Sequence, residues 1–410
     1  MKHIFTGFGF GPIQSGLFAA EAFKTGRFDR IVIAEIDQTL VDAVRASGGT
    51  YKVNVAGSDR VYTMTIEGIE IYNPGDDADR QKLVEALSVS TEIATSLPSV
   101  NFYDMGENSV ARLIAAGLKN SSAEATIIYT AENNNHAAEI LTEKVGAYTD
   151  IDTSRVKFLN TVIGKMSQVT NDPALIKSEG LATIAEGFMR AFLVEEFNRI
   201  LVTKASIDGF TPGIDVFMEK DDLLPFEEAK LYGHNAIHAM LGYLAMEAGL
   251  ETMDQLRSRP DLMEIARKAF IDESGGALVQ KYKSLGDTLF TPAGYTDYAD
   301  DLLARMTNPF LRDSAARAGR DPVRKLGYSD RIFGTIRLAD QYGIKAANLS
   351  RGAKAGLKYL LNTPDENKLP DELRFSPDEL NLDKISKLLA WLWKDEPVDD
   401  LDKYAKMVLW

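Results

Sequence analysis

The chain has no cysteine in its 410 residues. That absence removes disulfides, thiolate nucleophiles and cysteine-ligated zinc together. No apolar run approaches the ~20 residues that a membrane span requires, and the amino terminus lacks the basic region and apolar core of a secretion signal. Positive charge is also in deficit: 46 Lys and Arg stand against 60 Asp and Glu, leaving a formal net charge of −14. A general nucleic-acid binder gains affinity by neutralising phosphates, so that balance argues against one. What remains is a soluble, cytoplasmic enzyme for a small molecule, with no nucleic-acid or membrane partner, expected as a monomer or small homo-oligomer. A chain of this length has room for two or three domains.

The apolar run His3-Ile-Phe-Thr6 leads into Gly7-Phe-Gly9-Phe-Gly11-Pro12, and helix-forming residues follow from Leu17 to Lys24. Strand, glycine turn and helix in that order are the context of a dinucleotide site, where glycines admit a pyrophosphate and the helix N-terminus stabilises its charge. Gly7, Gly9 and Gly11 are therefore expected at the cofactor. The third glycine of the fingerprint is replaced by Pro12, which suits a first helical turn but offers no N–H to a phosphate. The next strand-like run, Arg30-Ile-Val-Ile-Ala-Glu35, ends in a carboxylate placed to accept from an adenine ribose, which favours NAD over NADP. A strand-end acid followed by an Asp37 helix cap is the plainer reading, and it explains Glu35 less well.

A second chemical cluster lies in Lys230-Leu-Tyr-Gly-His-Asn235-Ala-Ile-His238, which holds two of the four histidines. On a regular helix a step of about 100° per residue puts Asn235 near ~140° and His238 near ~80° from Lys230, on one side. Amine, amide and imidazole together suit general-base chemistry on an alcohol. An amphipathic helix with solvated polar groups would give the same pattern.

The acidic balance has one local exception. Arg305, Arg312, Arg317, Arg320, Arg324, Lys325 and Arg331 outnumber Asp313, Asp321 and Asp330 by four. Asp321-Pro322 reads as a helix cap and first residue, which sets Arg324 and Lys325 in a first turn where the macrodipole disfavours cations. A bound phosphate, held by Arg320, Arg324 and Lys325, would offset this. Salt bridges to the acidic remainder are the competing explanation.

Two halves are legible. Up to about residue 205, β-rich runs (30–36, 62–71, 126–131, 156–162) alternate with helical ones, giving an α/β Rossmann-type dinucleotide-binding domain over 1–205. The hairpin-like run Val61–Tyr72 is expected to insert antiparallel strands into its parallel sheet. From the breaker-rich Ile207–Ile214 onward, helical periodicity predicts a mainly α-helical substrate domain over 206–410.

Lys230, Asn235 and His238 match the Lys-x4-Asn-x2-His pattern of the long-chain polyol and sugar-acid dehydrogenases, which this chain resembles over most of residues 1–350. The basic stretch Gly319-Arg320-Asp-Pro322-Val-Arg324-Lys325-Leu, together with Glu273-Ser-Gly275 and Val194-Glu-Glu-Phe197, is similar to the mannitol-1-phosphate 5-dehydrogenase branch. The resemblance implies Lys230 as general base, Asn235 and Asn133 as donors to the developing oxyanion, and His238 as an orienting group. It also implies metal-free, NAD-dependent oxidation of a hexitol 1-phosphate to a ketose 6-phosphate. Dehydrogenation of a free polyol or sugar acid is the alternative, and a non-catalytic NAD-binding regulator the minor one.

Overall fold

The computed structural model describes residues 3–197, 199–398 and 400–409. It contains two compact units, Met1–Leu224 and Pro225–Trp410.

The first unit is built on twelve strands: β1 (His3–Phe8), β2 (Phe28–Ala34), β3 (Tyr51–Ala56), β4 (Val61–Ile66), β5 (Glu70–Tyr72), β6 (Glu92–Thr95), β7 (Thr126–Thr130), β8 (Val156–Val162), β9 (Ser167–Thr170), β10 (Ala191–Glu195), β11 (Ile200–Thr203) and β12 (Phe217–Lys220). Eight of them form one sheet in the order β12-β11-β8-β7-β6-β1-β2-β5. The six from β5 to β8 are mutually parallel. In chain order they run third, second, first, fourth, fifth, sixth, the doubly wound arrangement whose ligand crevice opens where the order reverses, between β1 and β6. Strand β11 then joins β8 antiparallel, and β12 runs parallel to β11. The strands carry near-continuous apolar runs because both faces are covered. On one face Phe8, Val32 and Ile93 pack with Leu83, Ile114 and Leu141 of the helices Asp77–Leu87, Val110–Lys119 and Ala137–Gly146. On the other, Phe5 and Ile33 meet Leu17 and Phe18 of helix 12–25 and then Val53 and Val194 of a second sheet, ordered β4-β3-β10-β9.

Two expectations are corrected here. Val61–Tyr72 is not a hairpin. Gly68, at φ +72, turns the chain so that β4 pairs antiparallel with β3 in the small sheet while β5 joins the large one parallel to β2. The boundary after residue 205 also falls too early. Ile207–Ile214 is a connection inside the first unit, pinned where the buried Glu92 carboxylate accepts from Gly213 N (2.5 Å), after which the chain returns to add β12.

The second unit is helical. At its centre lies helix 224–247, whose part Ala236–Glu247 is buried on nearly every side. Around it pack Pro292–Met306, Arg331–Gln341 and Ala347–Asn362, with Leu382–Leu392 and Leu401–Leu409 at the C-terminal end. No helix among the described residues is long and apolar enough to cross a membrane.

Candidate active site

Gly7 lies inside β1, where any Cβ would overlap the Gln14 amide. Gly9 makes the turn: its φ is +79, and a Cβ would sit 2.9 Å from the Ser96 carbonyl that follows β6. Only glycine accepts both demands without strain. Gly11 faces open space, with nothing within 4 Å of a built Cβ. Pro12 sits in the first turn of the helix, as its ring allows.

Glu35 follows the end of β2 and is only partly exposed. One carboxylate oxygen accepts from Phe10 N (2.8 Å) and the other from Asp37 N (2.8 Å). It thus latches the glycine turn to the second strand, a structural duty invisible in its spacing. A carboxylate has about four acceptor sites, so two remain for ribose hydroxyls. Asp37 caps the next helix through Thr39 N and Leu40 N. A dinucleotide fits this end of the sheet: a positive-φ glycine, an open Gly11 and an acid with spare lone pairs. The turn has fewer phosphate donors than a glycine-rich fingerprint, since Pro12 has no N–H and Phe10 N is spent on Glu35.

Asn133 is exposed in the turn after β7. Beside it sits a residue that sequence reasoning passed over. Glu132 is buried, and its carboxylate accepts from Thr95 Oγ1 (2.8 Å), Leu97 N (2.8 Å) and Tyr103 Oη. Burial pushes its pKa up. The carboxylate binds the carboxyl end of β7 to that of β6, which fixes the start of the asparagine turn.

In the second unit the helix carrying the amine is not a regular α-helix. Residues Ala229–Asn235 form a π segment, so Lys230 and Asn235 stand on a widened turn, and the even 100° wheel expected for them does not apply. Such bulges need a reason in the packing. Here the Tyr232 carbonyl accepts from Ser274 Oγ (2.9 Å) and Thr335 Oγ1 (3.0 Å), and Gly233 leaves room for Tyr295 and Phe270, which a Cβ would meet at 2.7 and 2.8 Å. Ser274 and Gly275 lie on a second π segment, Ala269–Gly275. The Glu273-Ser-Gly275 run thereby finds its physical meaning. Glu273 caps helix Ala347–Asn362 by accepting from Asn348 N and Leu349 N (both 2.8 Å), Ser274 holds the wide turn, and Gly275 clears Tyr295.

Lys230 is partly buried. Burial, with the Arg331 guanidinium acting in the same direction and Glu227 against it, draws its ammonium down to about 8. Its neighbour His234 is buried and driven well below the ordinary imidazole range by burial and then by His238, Arg305, Lys230 and Arg331, so it is neutral. His238 is anchored: Nε2 lies 2.8 Å from Asp313 Oδ2, while Asp313 Oδ1 accepts from Arg317 Nε at 2.6 Å. Burial alone would raise the Asp313 pKa, but these two contacts overrule it and hold it at about 2. With the carboxylate ionised, Nε2 is the donor, and Nδ1 is the nitrogen left to face other groups. The partner, 75 positions away, could not have been paired with His238 by spacing.

The three residues expected at a phosphate divide. Arg320 and Arg324 are exposed, and Arg324 Nε is taken by Asp321 at 2.6 Å. Asp321 stands at the N-cap position before Pro322, as expected, but at φ +60 and with no side-chain cap bond. The helix Pro322–Lys325 is one turn, so its cations occupy first and last turn alike, and the expected conflict with a macrodipole disappears. Lys325 alone points inward, 5% exposed, with Nζ 2.6 Å from the Ala318 carbonyl.

Residues 222–405 match the mannitol dehydrogenase C-terminal domain. Mannitol-1-phosphate 5-dehydrogenase of Buchnera aphidicola is 26% identical over 86% of this chain and 85% of its own length. The enzyme of that name from Halalkalibacterium halodurans is 27% identical over 90% and 91%. The helical part of the chain thus carries a mannitol dehydrogenase C-terminal domain. The fold of the chain is that of a D-sorbitol dehydrogenase (TM-score 0.76, 15% identity, 100% of this chain and 92% of the other). It is also similar to that of Pseudomonas fluorescens mannitol 2-dehydrogenase, solved with NAD and D-mannitol (TM-score 0.68, 16% identity, 100% and 90%). Within the C-terminal domain the three motif residues lie on one helix, as expected, although the turn that carries two of them is wider.

The Asp313 network yields a signed prediction. A depressed carboxylate pKa contributes stability that is present above about 4 and lost as pH falls through about 2. Asp313→Asn should therefore cost about 2 kcal/mol at pH 7. Thermal melts should show the gap to wild type narrowing between pH 4 and pH 2.5. A gap of constant size down to pH 2.5 would contradict the ionic account.

Proposed function

We propose that the chain catalyses NAD-dependent oxidation of a hexitol 1-phosphate, mannitol 1-phosphate foremost, to the ketose 6-phosphate, and the reverse reduction, without a metal. The observation that carries this reading is Lys230, an amine brought to about 8 by its surroundings inside the family's three-residue motif. An amine near that value is neutral often enough to accept a hydroxyl proton, yet basic enough to hold it. Asn235, one turn on, donates to the oxygen as negative charge develops there, a contribution of about 3–4 kcal/mol for a well-placed donor. His238, fixed by Asp313, presents Nδ1 to a substrate hydroxyl. Asn133, in the turn that Glu132 fixes, is the second proposed oxyanion donor.

NAD, when bound, takes up the hydride from the carbinol carbon. Gly9, Gly11 and Glu35 are the residues proposed to hold it, and the Glu35 carboxylate disfavours a 2′-phosphate. In the reductive direction protonated Lys230 returns its proton to the oxygen.

Phosphorylated substrate is supported by the names of the two sequence relatives and by the basic segment 305–331. A free polyol is the second reading, favoured by the outward-facing Arg320 and by Arg324 paired with Asp321. A panel followed at the NADH absorbance separates them. Fructose 6-phosphate with NADH should give the highest kcat/KM, ahead of fructose, tagatose 6-phosphate and uronates, and ahead of NADPH with any of them. Fructose reduced as efficiently as its 6-phosphate moves the reading to the free-polyol branch. Lys230→Ala should lower kcat by about 10²–10⁴-fold with NADH affinity near wild type, because the amine acts in proton transfer. A variant keeping a tenth of kcat would remove Lys230 from that role.

A further inference from the structure

Two polar atoms inside the helical unit lack a partner, and a buried ammonium lies near them. The Tyr243 hydroxyl is buried, on a residue only 1% exposed, and has no hydrogen-bond partner among the described residues. Arg331 Nε is buried and likewise lacks one among the described residues; Asp330 stands 3.7 Å away, beyond hydrogen-bond reach. Lys325, six residues earlier at the end of the preceding short helix, donates to Ala318 O and leaves further donor capacity on its ammonium.

These groups share one place. Arg331 and Tyr243 are near enough for each to perturb the other's ionisation, and Arg331 is the leading cationic influence on Lys325. Close backbone approach encloses the Tyr243 ring. A Cβ on Gly319 would strike the Tyr243 ring at 3.1 Å, and one on Gly356 would meet it at 2.9 Å from the other side. Leaving a buried guanidinium nitrogen and a buried phenol unpaired is costly, and Asp330, 3.7 Å from Arg331 Nε, only partly offsets the gathered cations. A dianion accepting from all three would remove every one of these costs at once.

We infer that Arg331, Tyr243 and Lys325 form the anion site of this enzyme, and that it receives the phosphate of the substrate while Arg324 stays outside. The inference deepens the phosphorylated-substrate reading above and rests on it for the identity of the anion. It replaces an exposed pair of arginines with an enclosed site. It also places a phosphate near the base, since Arg331 is the same cation that bears on Lys230.

Tyr243→Phe decides the matter, because it removes only an unpaired oxygen from a packed site. With full-length protein and inorganic phosphate as probe, wild type should melt at higher temperature as phosphate is added. Tyr243→Phe should melt at or above wild type without phosphate, yet respond to phosphate far less. A hydrogen bond to a charged group is worth ~1.5–3 kcal/mol, so its KM for fructose 6-phosphate should rise roughly 10-fold or more. NADH affinity and kcat should change less than about 3-fold, since uniform binding is what is lost. Arg331→Met should raise that KM by about 10²-fold or more, and Arg324→Ala by much less. The inference is overturned if Tyr243→Phe keeps wild-type phosphate response and KM, or if Arg324→Ala weakens both as much as Arg331→Met. Phosphate stabilisation lost in Tyr243→Phe and Arg331→Met supports the site even where wild type reduces fructose and fructose 6-phosphate alike; that result counts only against the choice of substrate.

Discussion

Positive charge held out of water governs the helical unit. Lys230, Lys325 and Arg331 gather around a central helix whose middle is apolar on nearly every side, and burial pulls the first two to about 8 and about 7. Water would keep both ammonium groups charged well above neutral pH. The enclosure that makes Lys230 a usable base is maintained by structure with no direct part in the chemistry. Ser274 and Thr335 hold the widened turn, Gly233 and Gly275 let Tyr295 approach, and Glu273 caps the helix behind them.

The first unit solves a different problem with neutral and acidic groups. Parallel strands end together at the β1 and β6 switch point, and two carboxylates organise the loops there: Glu35 holds the glycine turn, and Glu132 holds the asparagine turn. Each accepts several hydrogen bonds, which is how a partly or fully buried acid is tolerated. Glu35 shows how one residue can serve fold and ligand, since its backbone contacts leave acceptor capacity for a ribose.

Much of this was legible from residues close together in the chain. The strand, glycine turn and helix at 3–25 and the acid at Glu35 follow from local periodicity and turn chemistry, and the motif at Lys230, Asn235 and His238 spans nine positions. What failed was set by contacts between distant segments. The π turn at Ala229–Asn235 depends on Ser274, Tyr295 and Thr335, none of them near it in sequence. His238 needed Asp313, and the division of Val61–Tyr72 between two sheets depended on which partner strand each half reached. Arg324 illustrates the limit of charge counting. A basic run does not say which cation points inward, and here Asp321 takes Arg324 while Lys325 turns into the core.

The claim at the centre is that burial beside Arg331 tunes Lys230 to act as the base, and it is read directly in the pH dependence of polyol-phosphate oxidation. The kcat/KM of wild type should rise with pH and level off above an inflection at about 8. Arg331→Gln should move that inflection upward, because it removes a cation that holds the ammonium down. A profile that is flat from pH 6 to 10, or an inflection near the ordinary lysine value that Arg331→Gln leaves in place, would contradict the account.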